Sequence, residues 1–320
     1  MSKVTNIPLG SICLGSRESP LALAQTKFVM GLIQQAYPEI ELSLKTFKTK
    51  GDKFLEAPLS TIGDKGLFVK ELEDALLQSE IDLAVHSLKD MLSILPEGLA
   101  LQSIAPREDA RDVLLNLEGK QLSDLPPGAV VGTASLRRVG QLKKLRPDLL
   151  YQNVRGNIQT RFGKLEDKQY DALVLAAAGI RRMGWLNEAP FKHALTQYLD
   201  PFSEMLPAVG QGILAVEYRQ DNQALSALLS SLSDSHTECC MQAERAFLKE
   251  LEGGCRLPVA AYAYPTPDSN YHFKGGVYSE DGVRQIEKSL AFTKSEAEKT
   301  GIQLAQMLLA DGARDLLSGL

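Results

Sequence analysis

Cys255 is the first residue whose position suggests chemistry, because it lies in a turn. The segment LEGGCRLP, residues 251–258, places it directly after two glycines and three residues before a proline. Glycine allows backbone conformations that other residues avoid, and proline ends regular structure. A cysteine in such a turn is a small packed residue, half of a disulfide, a metal ligand or a nucleophile. The turn favours a chemical role over simple packing.

The other three cysteines, Cys13, Cys239 and Cys240, give no sign of a shared site. The first lies in an apolar run and the other two in a helical stretch, where cysteine packs as a small hydrophobe. Their spacing from His236 and Cys255 matches no zinc motif. We therefore expect no metal site, and no structural disulfide in a reducing cytosol.

Arginines recur at turns that lead from a strand into a helix. Such a turn presents unpaired N–H groups and a partial positive charge, so it favours anions. Arginine adds a planar fork that matches a carboxylate or phosphate. One such arginine is usually a solvated surface residue, but four such turns in an acidic chain indicate a ligand with several negative charges. The turns are GSRESP (15–20), GTASLRR (132–138), RGNIQTR (155–161) and, more loosely, AGIRR (178–182).

Asp90 is a carboxylate at a comparable place. It follows the apolar run DLAVHS, at the expected carboxyl end of a buried strand. Ligands of open α/β sheets bind at this edge. A carboxylate there stabilises a cation or accepts N–H bonds, or it forms an ion pair with a neighbouring arginine.

Length and composition predict a globular protein of two or three domains. The 320 residues exceed what one core usually organises, and 44% hydrophobic with 23% charged residues is ordinary for such a protein. The net charge of −5 argues against nucleic-acid binding through an overall field, so an anion site must be a local cluster. No apolar run approaches the roughly 20 residues that span a bilayer, and the first residues lack a signal-peptide core. We expect a cytoplasmic protein.

Short apolar strands alternate with amphipathic helices through most of the chain, which predicts parallel α/β sheets. Ser19 and Ser135 suit the N-caps of two of these helices, and Pro20 suits the first helical position. Residues 231–320 differ, because a helix, three clustered strands and one long final helix (295–317) predict a small α+β domain.

These segments together resemble the porphobilinogen deaminase family, also called hydroxymethylbilane synthases. The similar blocks occur in the family's order and several are long and specific. They are GSRESPLALAQ, KGLFVKELEDALL, DLAVHSLKDM, REDARDVLL, VGTASLRR, RGNIQTR, YDALVLAAAGIRRMG, LPAVGQGILAVE and LEGGCRLP, within residues 15–258.

The resemblance implies that Cys255 carries a dipyrromethane cofactor through a thioether bond. A thiolate is a good nucleophile toward an electrophilic methylene, and the two preceding glycines leave room for a bulky adduct. The cofactor and the growing pyrrole chain hold many carboxylates in one cleft. The residues implied to bind them are Arg17, Ser19, Lys89, Asp90, Ser135, Arg137, Arg138, Arg155, Arg161 and Arg182.

The implied activity is that of a transferase in tetrapyrrole, and hence haem, biosynthesis. It condenses four porphobilinogen molecules head to tail into hydroxymethylbilane with release of ammonia. Loss of ammonia from the substrate leaves a cationic azafulvene, which the Asp90 carboxylate would stabilise while also helping to move protons. Lys89 would bind substrate beside it. The family also implies a monomer with no nucleic-acid or membrane partner.

The implied fold has two solute-binding-protein-like α/β domains plus a small C-terminal α+β domain. We expect residues 1–105 and 206–230 in the first domain, 106–205 in the second, and 231–320 in the third, which carries the cysteine. Residues 53–65 resemble the mobile loop that borders the family's active site.

One residue departs from the family pattern. Leu92 stands where the family usually has a proline, two residues after Asp90. Proline would stiffen the turn that holds the carboxylate, so its absence loosens that turn.

A second class of function fits the same arginines. Two α/β lobes with anion-binding turns would also serve a solute-binding protein for a small anion, although such a protein needs neither Cys255 nor Asp90. An RNA- or phosphate-binding protein is disfavoured by the net charge of −5 and by an aromatic content of 6%.

Overall fold

The computed structural model describes residues 10–49, 69–187, 191–251 and 257–318. The chain divides into two compact units, Met1–Arg107 with Ile213–Glu238 and Glu108–Gly212 with Cys239–Leu320. In the described residues, no helix has the length and apolar character that crossing a membrane requires.

The described residues form thirteen strands. Most coincide with the short apolar runs of the sequence, because buried strands are rich in aliphatic residues. In chain order they are β1 (Ser11–Arg17), β2 (Glu41–Phe47), β3 (Leu83–Ser87), β4 (Leu99–Ile104), β5 (Asp112–Leu115), β6 (Val130–Gly132), β7 (Leu150–Gln152), β8 (Ala172–Ala176), β9 (Leu195–Tyr198), β10 (Leu214–Arg219), β11 (Val259–Pro265), β12 (Tyr271–Tyr278) and β13 (Gln285–Phe292).

Ten α-helices connect and cover these strands in the described part of the chain. In chain order they are α1 (Pro20–Ala36), α2 (Lys70–Leu77), α3 (Leu136–Leu145), α4 (Ile158–Glu166), α5 (Ala177–Arg182), α6 (Phe191–Ala194), α7 (Gln223–Leu232), α8 (Ser235–Glu250), α9 (Ala297–Ala310) and α10 (Ala313–Ser318).

The first unit is built on a five-stranded sheet in the order β2-β1-β3-β10-β4. β1 pairs in parallel with β2 and β3, whereas β10 runs antiparallel between β3 and β4. Helices cover both faces: α1 and α7 pack on one apolar cluster, and α2 packs on the other. The chain thus returns to complete this sheet after the whole of the segment 108–212.

The second unit contains two sheets. The first has the order β7-β6-β8-β5-β9, with β6 parallel to β7 and β8 and with β5 antiparallel to β8. Apolar clusters lie on both of its faces, under α4 on one side and α3 on the other.

The second sheet of this unit is the antiparallel meander β11-β12-β13. Its apolar face packs on α8 and α9, where Phe247 and Phe273 make an edge contact with ring centroids 5.5 Å apart. The expected fold class, two α/β domains and a small C-terminal α+β domain, is therefore confirmed. The expected domain boundaries stay a prediction.

The prediction of one long final helix over residues 295–317 was wrong. The structure has α9 and α10 separated at Asp311 and Gly312. Gly312 has a φ of 93°, a left-handed conformation that ends a helix and that glycine adopts without steric cost.

Helix α9 packs closely on α8 because Gly301 has no side chain. A Cβ placed there would lie 2.8 Å from Cβ of Ala246 and would also overlap the carbonyl oxygen of Ala243. We expect Gly301→Ala to lower the free energy of unfolding by about 1–3 kcal/mol, through overpacking. Urea unfolding followed by circular dichroism measures the change.

The matched control is Gly31→Ala in the exposed middle of α1, where a Cβ meets nothing within 4 Å. Alanine is the better helix former, so this variant should be more stable by about 0.5–1 kcal/mol. Equal stability of the two variants would contradict the close-packing account.

Candidate active site

A cleft of the first unit lies at the carboxyl ends of β1 and β3. These strands are parallel neighbours, with Leu14 paired to Leu83, so both end at the same edge of the sheet. The cleft is lined by Arg17, Ser19 and Asp90, among others. The structure thus brings together three predicted site residues from two distant segments.

Arg17 and Ser19 come from the turn between β1 and α1. Arg17 is the last residue of its strand and is half-buried. Ser19 is the N-cap of α1, its hydroxyl accepts a hydrogen bond of 3.3 Å from the amide of Ala22, and Pro20 occupies the first helical position. Both expectations about this helix start are confirmed. A guanidinium beside a helix N-terminus is a suitable site for a carboxylate.

Asp90 comes from the 3₁₀ turn Leu88–Asp90 that follows β3. The amide of Leu88 donates to the carbonyl of Ile213 at 3.0 Å, and the amide of Met91 donates to the carbonyl of Leu88 at 3.0 Å. Met91 is only 1% exposed, so it anchors the far end of the turn. The turn is thus held without the proline that Leu92 replaces. Lys89 lies in the same turn and is half-buried.

Arg137 and Arg138 lie in the first turn of α3, as the sequence predicted, and both contact Asp112. Nη2 of Arg137 lies 2.8 Å from one Asp112 oxygen, and Nη2 of Arg138 lies 2.7 Å from the other. Both guanidinium groups also donate to main-chain carbonyls, at Leu206 and Val174 respectively. Two buried arginines therefore face one carboxylate, which leaves an excess of positive charge around Asp112.

Asp112 is fully buried. Burial alone would raise its pKa, but Arg137 and Arg138 outweigh that effect and hold the pKa well below its usual range. Gln211 donates a further hydrogen bond of 3.0 Å to the same carboxylate. Sequence analysis did not identify Asp112 as a site residue. It is the first residue of an apolar strand, where an unpaired acid would be costly.

Arg155 and Arg161 flank the start of α4. Asn157 is the N-cap, and its side chain accepts from the amide of Thr160 at 2.9 Å. Nε of Arg161 donates to the carbonyl of Gly156 at 2.8 Å. Nε of Arg155 is buried and has no hydrogen-bond partner among the described residues. A buried donor without a partner is costly, so this atom indicates a place where an anionic ligand fits.

Ser135 is the N-cap of α3, as expected, but its side chain makes no capping hydrogen bond. Arg182 was expected near the start of a helix, and this expectation was wrong. Because α5 has only six residues, Arg182 lies in its last turn. Its Nη2 donates to the carbonyl of Gly212 at 2.7 Å, and burial lowers its pKa to about 10.

Cys255 lies outside the described residues, as does the predicted loop 53–65. The other cysteines pack as small hydrophobes, which agrees with the sequence. Cys239 and Cys240 are each 2% exposed in the C-terminal core, and Cys13 packs beside the cluster under α2.

Comparison with known proteins decides the family. A family model described as porphobilinogen deaminase, dipyromethane cofactor binding domain, matches residues 12–227, and the family's C-terminal domain model matches residues 238–310. This chain belongs to the porphobilinogen deaminase family. A porphobilinogen deaminase from Geobacillus kaustophilus is 48% identical over 96% of both chains. Those from Syntrophobacter fumaroxidans and Bacillus subtilis are each 45% identical over 96% of this chain and 96% and 95% of their own.

Membership of the porphobilinogen deaminase family makes the chain a hydroxymethylbilane synthase, a transferase of tetrapyrrole biosynthesis with a dipyrromethane cofactor.

Among solved structures, the BenM effector-binding domain with benzoate aligns with a TM-score of 0.43 and 14% identity, over 69% of this chain and 90% of that one.

The described residues fit this cofactor. A dipyrromethane offers carboxylates and pyrrole N–H groups, which require cationic donors and a carboxylate acceptor respectively. Arg17 and the Ser19-capped helix supply the donors for the carboxylates. Asp90 supplies the acceptor for the pyrrole N–H groups, within the same cleft. The unpartnered Nε of Arg155 is a further donor for an anion.

Asp112 also yields a stability prediction. Asp112→Asn removes the negative charge that balances two buried arginines, so we expect the free energy of unfolding at pH 7 to fall by about 3–5 kcal/mol. Because the pKa of Asp112 is lowered on folding, its contribution is complete above the unfolded value of 3.8 and decreases as the pH falls below it. The difference between wild type and variant should therefore shrink in acid, as measured by urea unfolding from pH 7 to pH 3.

Asp148→Asn is the control, because it breaks the pair between Arg146 and Asp148 at the surface. Exposed ion pairs contribute little, so the unfolding midpoint should not move. An Asp112→Asn variant as stable as wild type at pH 7 would contradict the charge-balance account.

Proposed function

We propose that this chain condenses four porphobilinogen molecules head to tail into hydroxymethylbilane, with release of ammonia, on a dipyrromethane primer attached to Cys255. It acts as a monomer in the cytoplasm, with porphobilinogen as its small-molecule partner and with neither nucleic acid nor membrane. The observation that carries the proposal is the cleft in which Arg17, the Ser19-capped helix and Asp90 meet. Such a site combines anion-binding groups with one carboxylate.

The bound cofactor supplies the terminal pyrrole ring to which each substrate is joined. Arg17 and the N-terminus of α1 hold acetate and propionate groups of the cofactor and substrate, because a guanidinium and free amides both favour carboxylates. In doing so they orient the pyrrole rings against the sheet edge. Fixing two reacting groups in this way is a large part of catalysis for a joining reaction.

Asp90 is the catalytic carboxylate in this proposal. A negative group among anion-binding residues accepts hydrogen bonds from pyrrole N–H groups and stabilises positive charge as ammonia leaves the substrate. Asp90 is exposed to the cleft, so it can also accept and return a proton. Lys89, next to it in the 3₁₀ turn, contributes a positive charge for the carboxylates of the incoming substrate.

The arginines of the second unit bind further carboxylates of the pyrrole chain. Arg155 is the best supported of them, because its buried Nε has no partner among the described residues. Arg137 and Arg138 contribute the positive charge that Asp112 leaves uncompensated. Ser135, Arg161 and Arg182 are assigned to the same task by their positions in the family motifs.

Cys255 is assigned from the sequence, since residues 252–256 lie outside the described part. A thiolate attacks an electrophilic methylene readily and forms a stable thioether. We expect the intact mass of the denatured wild type to exceed its sequence mass by one two-pyrrole adduct. Cys255→Ser should have its bare mass, as measured by electrospray mass spectrometry.

Cys13→Ser is the matched control and should keep the adduct, because Cys13 packs in the first unit. An adduct that persists in Cys255→Ser would move the attachment to another residue. A wild type that stays at its bare mass after incubation with porphobilinogen would refute the covalent primer.

Asp90→Asn tests the catalytic carboxylate. Losing one charge that stabilises developing charge typically costs about 10²–10³-fold in rate, so we expect kcat for porphobilinogen consumption to fall by that factor. The mass adduct should remain, because the arginines still hold the cofactor. Glu97→Gln removes an exposed acid of the same unit and serves as the control. An unchanged kcat in Asp90→Asn would remove Asp90 from the mechanism.

A further inference from the structure

A buried polar pair lies under the cleft and has no role in the chemistry described above. His86 on β3 is 5% exposed, and Glu217 on β10 is fully buried. Nε2 of His86 lies 3.0 Å from Oε2 of Glu217. A carboxylate only accepts hydrogen bonds, so Nε2 carries the hydrogen and donates it.

The pair is a brace across two neighbouring strands. In the antiparallel ladder His86 lies opposite Ala215, and Glu217 lies two residues further along, on the same face of the sheet. The ladder ends with Ser87 opposite Leu214. The brace therefore joins β3 to β10 near the end of the ladder, just before the chain leaves the sheet.

The segment that leaves the sheet at this point carries Asp90. The next amide, that of Leu88, donates to the carbonyl of Ile213 at 3.0 Å and continues the contact with the chain before β10. The 3₁₀ turn then brings Asp90 into the cleft, which His86 also lines. The position of the carboxylate thus depends on how β3 is aligned with β10.

The opposite face of the same strand end is also fixed by a side chain. Nε2 of Gln25 on α1 donates to the hydroxyl of Ser87 at 2.9 Å. Consecutive residues of β3 are therefore held from both faces, one by a helix and the other by a strand. A segment held in this way has little freedom to shift along the sheet.

Burying the pair is not an efficient way to stabilise the fold. Desolvation of a buried charged pair offsets much of the attraction, and apolar residues of similar size often stabilise as well. Oε1 of Glu217 is also buried without a hydrogen-bond partner in the described part of the chain. An arrangement with this cost indicates that geometry, rather than stability, is what the pair supplies.

We propose that His86 is a positioning residue: its hydrogen bond to Glu217, inside the sheet, fixes the end of β3 and therefore the turn that carries Asp90. The inference rests on the catalytic role proposed for Asp90. The expected effect of breaking the bond is a loss of kcat that exceeds any rise in KM, because Asp90 shifts with the turn whereas Arg17 and the N-terminus of α1, which also bind the carboxylates, are not moved.

The strength of the hydrogen bond between His86 and Glu217 depends on pH because of Glu73. It is 6% exposed on α2, which packs on the same face of the sheet, and its Oε1 has no hydrogen-bond partner among the described residues. Burial and the charge of Glu217 raise its pKa to about 7, against the opposing effects of His86 and Lys70. Below that pH Glu73 is neutral, and above it a second carboxylate faces the single histidine.

The other charged groups of α2 and of the cleft do not remove this effect. Asp74, its neighbour on α2, also raises the pKa of Glu73, and Arg17 and Asp90 lie at the cleft. Ionised Glu73 repels Glu217 and attracts His86, so the brace weakens as the pH rises through about 7. The wild type should therefore lose kcat on the alkaline side of that value.

The experiment compares single variants of the loaded enzyme with porphobilinogen as substrate. His86→Phe keeps a ring of similar size but removes the hydrogen-bond donor, and a misplacement of the reacting groups should lower kcat by about tenfold to a hundredfold. Glu217→Gln keeps an acceptor for Nε2 and should retain most of the wild-type kcat. Tyr37→Phe, which removes a hydrogen bond of 2.7 Å to Ser231 elsewhere in the unit, is the control and should keep the wild-type kcat.

Folded His86→Phe with the wild-type kcat would overturn the proposal. If His86→Phe does not fold, Glu73→Gln decides. This variant cannot ionise, so the alkaline limb of its kcat profile should lie at higher pH than that of wild type, and its thermal unfolding temperature should fall less from pH 6 to pH 8. Superimposable profiles would refute the brace. Asp90→Asn, assayed in parallel, separates the two claims, because an unchanged kcat there would reject the role of Asp90 itself.

Discussion

The parallel pairing of β1 with β3 is the constraint on which the candidate site depends. Parallel neighbours end at one edge of a sheet, so residues far apart in the chain meet there without any loop having to carry them. Arg17 and Asp90 reach the cleft in this way, Arg17 as the last residue of β1 and Asp90 in the turn that follows β3. The first sheet of the second unit repeats the arrangement, with β6 parallel to β7 and β8, and its arginines again follow the strand ends.

One buried cluster in each unit has an imbalance of charge, and the two imbalances have opposite sign. In the second unit two arginines share Asp112, so positive charge is in excess around that carboxylate, in a protein whose net charge is negative. In the first unit Glu217 and Glu73 are both buried and His86 is the histidine that pairs with Glu217, so acid is in excess beneath the cleft. A ligand rich in carboxylates suits the positive cluster of the second unit, and a reaction that develops positive charge suits the acidic cluster of the first unit. Binding and chemistry thus have separate electrostatic sources in this chain.

Local patterns in the sequence were sufficient for the elements and for the positions of most site residues. Ser19 and Pro20 marked the start of α1, and the apolar runs marked the strands, because caps and periodicity are properties of neighbouring residues. The partners of the buried charges were not predictable in the same way. Asp112 meets Arg138, and His86 meets Glu217, only after strands distant in the chain have paired. The break after α9 could have been predicted from Gly312, because glycine commonly ends helices.

Strand β10 has a consequence for how the protein is made. It occupies an inner position of the first sheet, between β3 and β4, yet it follows the entire segment Glu108–Gly212 in the chain. Synthesis proceeds from the N-terminus, and domains tend to fold as their residues emerge. The first sheet therefore lacks β10, the strand between β3 and β4, until the residues of the next sheet have been synthesised. Before β10 arrives, the nascent chain has β3 without its inner neighbour and exposes strand edges that other chains could pair with. The nascent chain is therefore most exposed to aggregation in the interval between the emergence of residue 108 and that of residue 219.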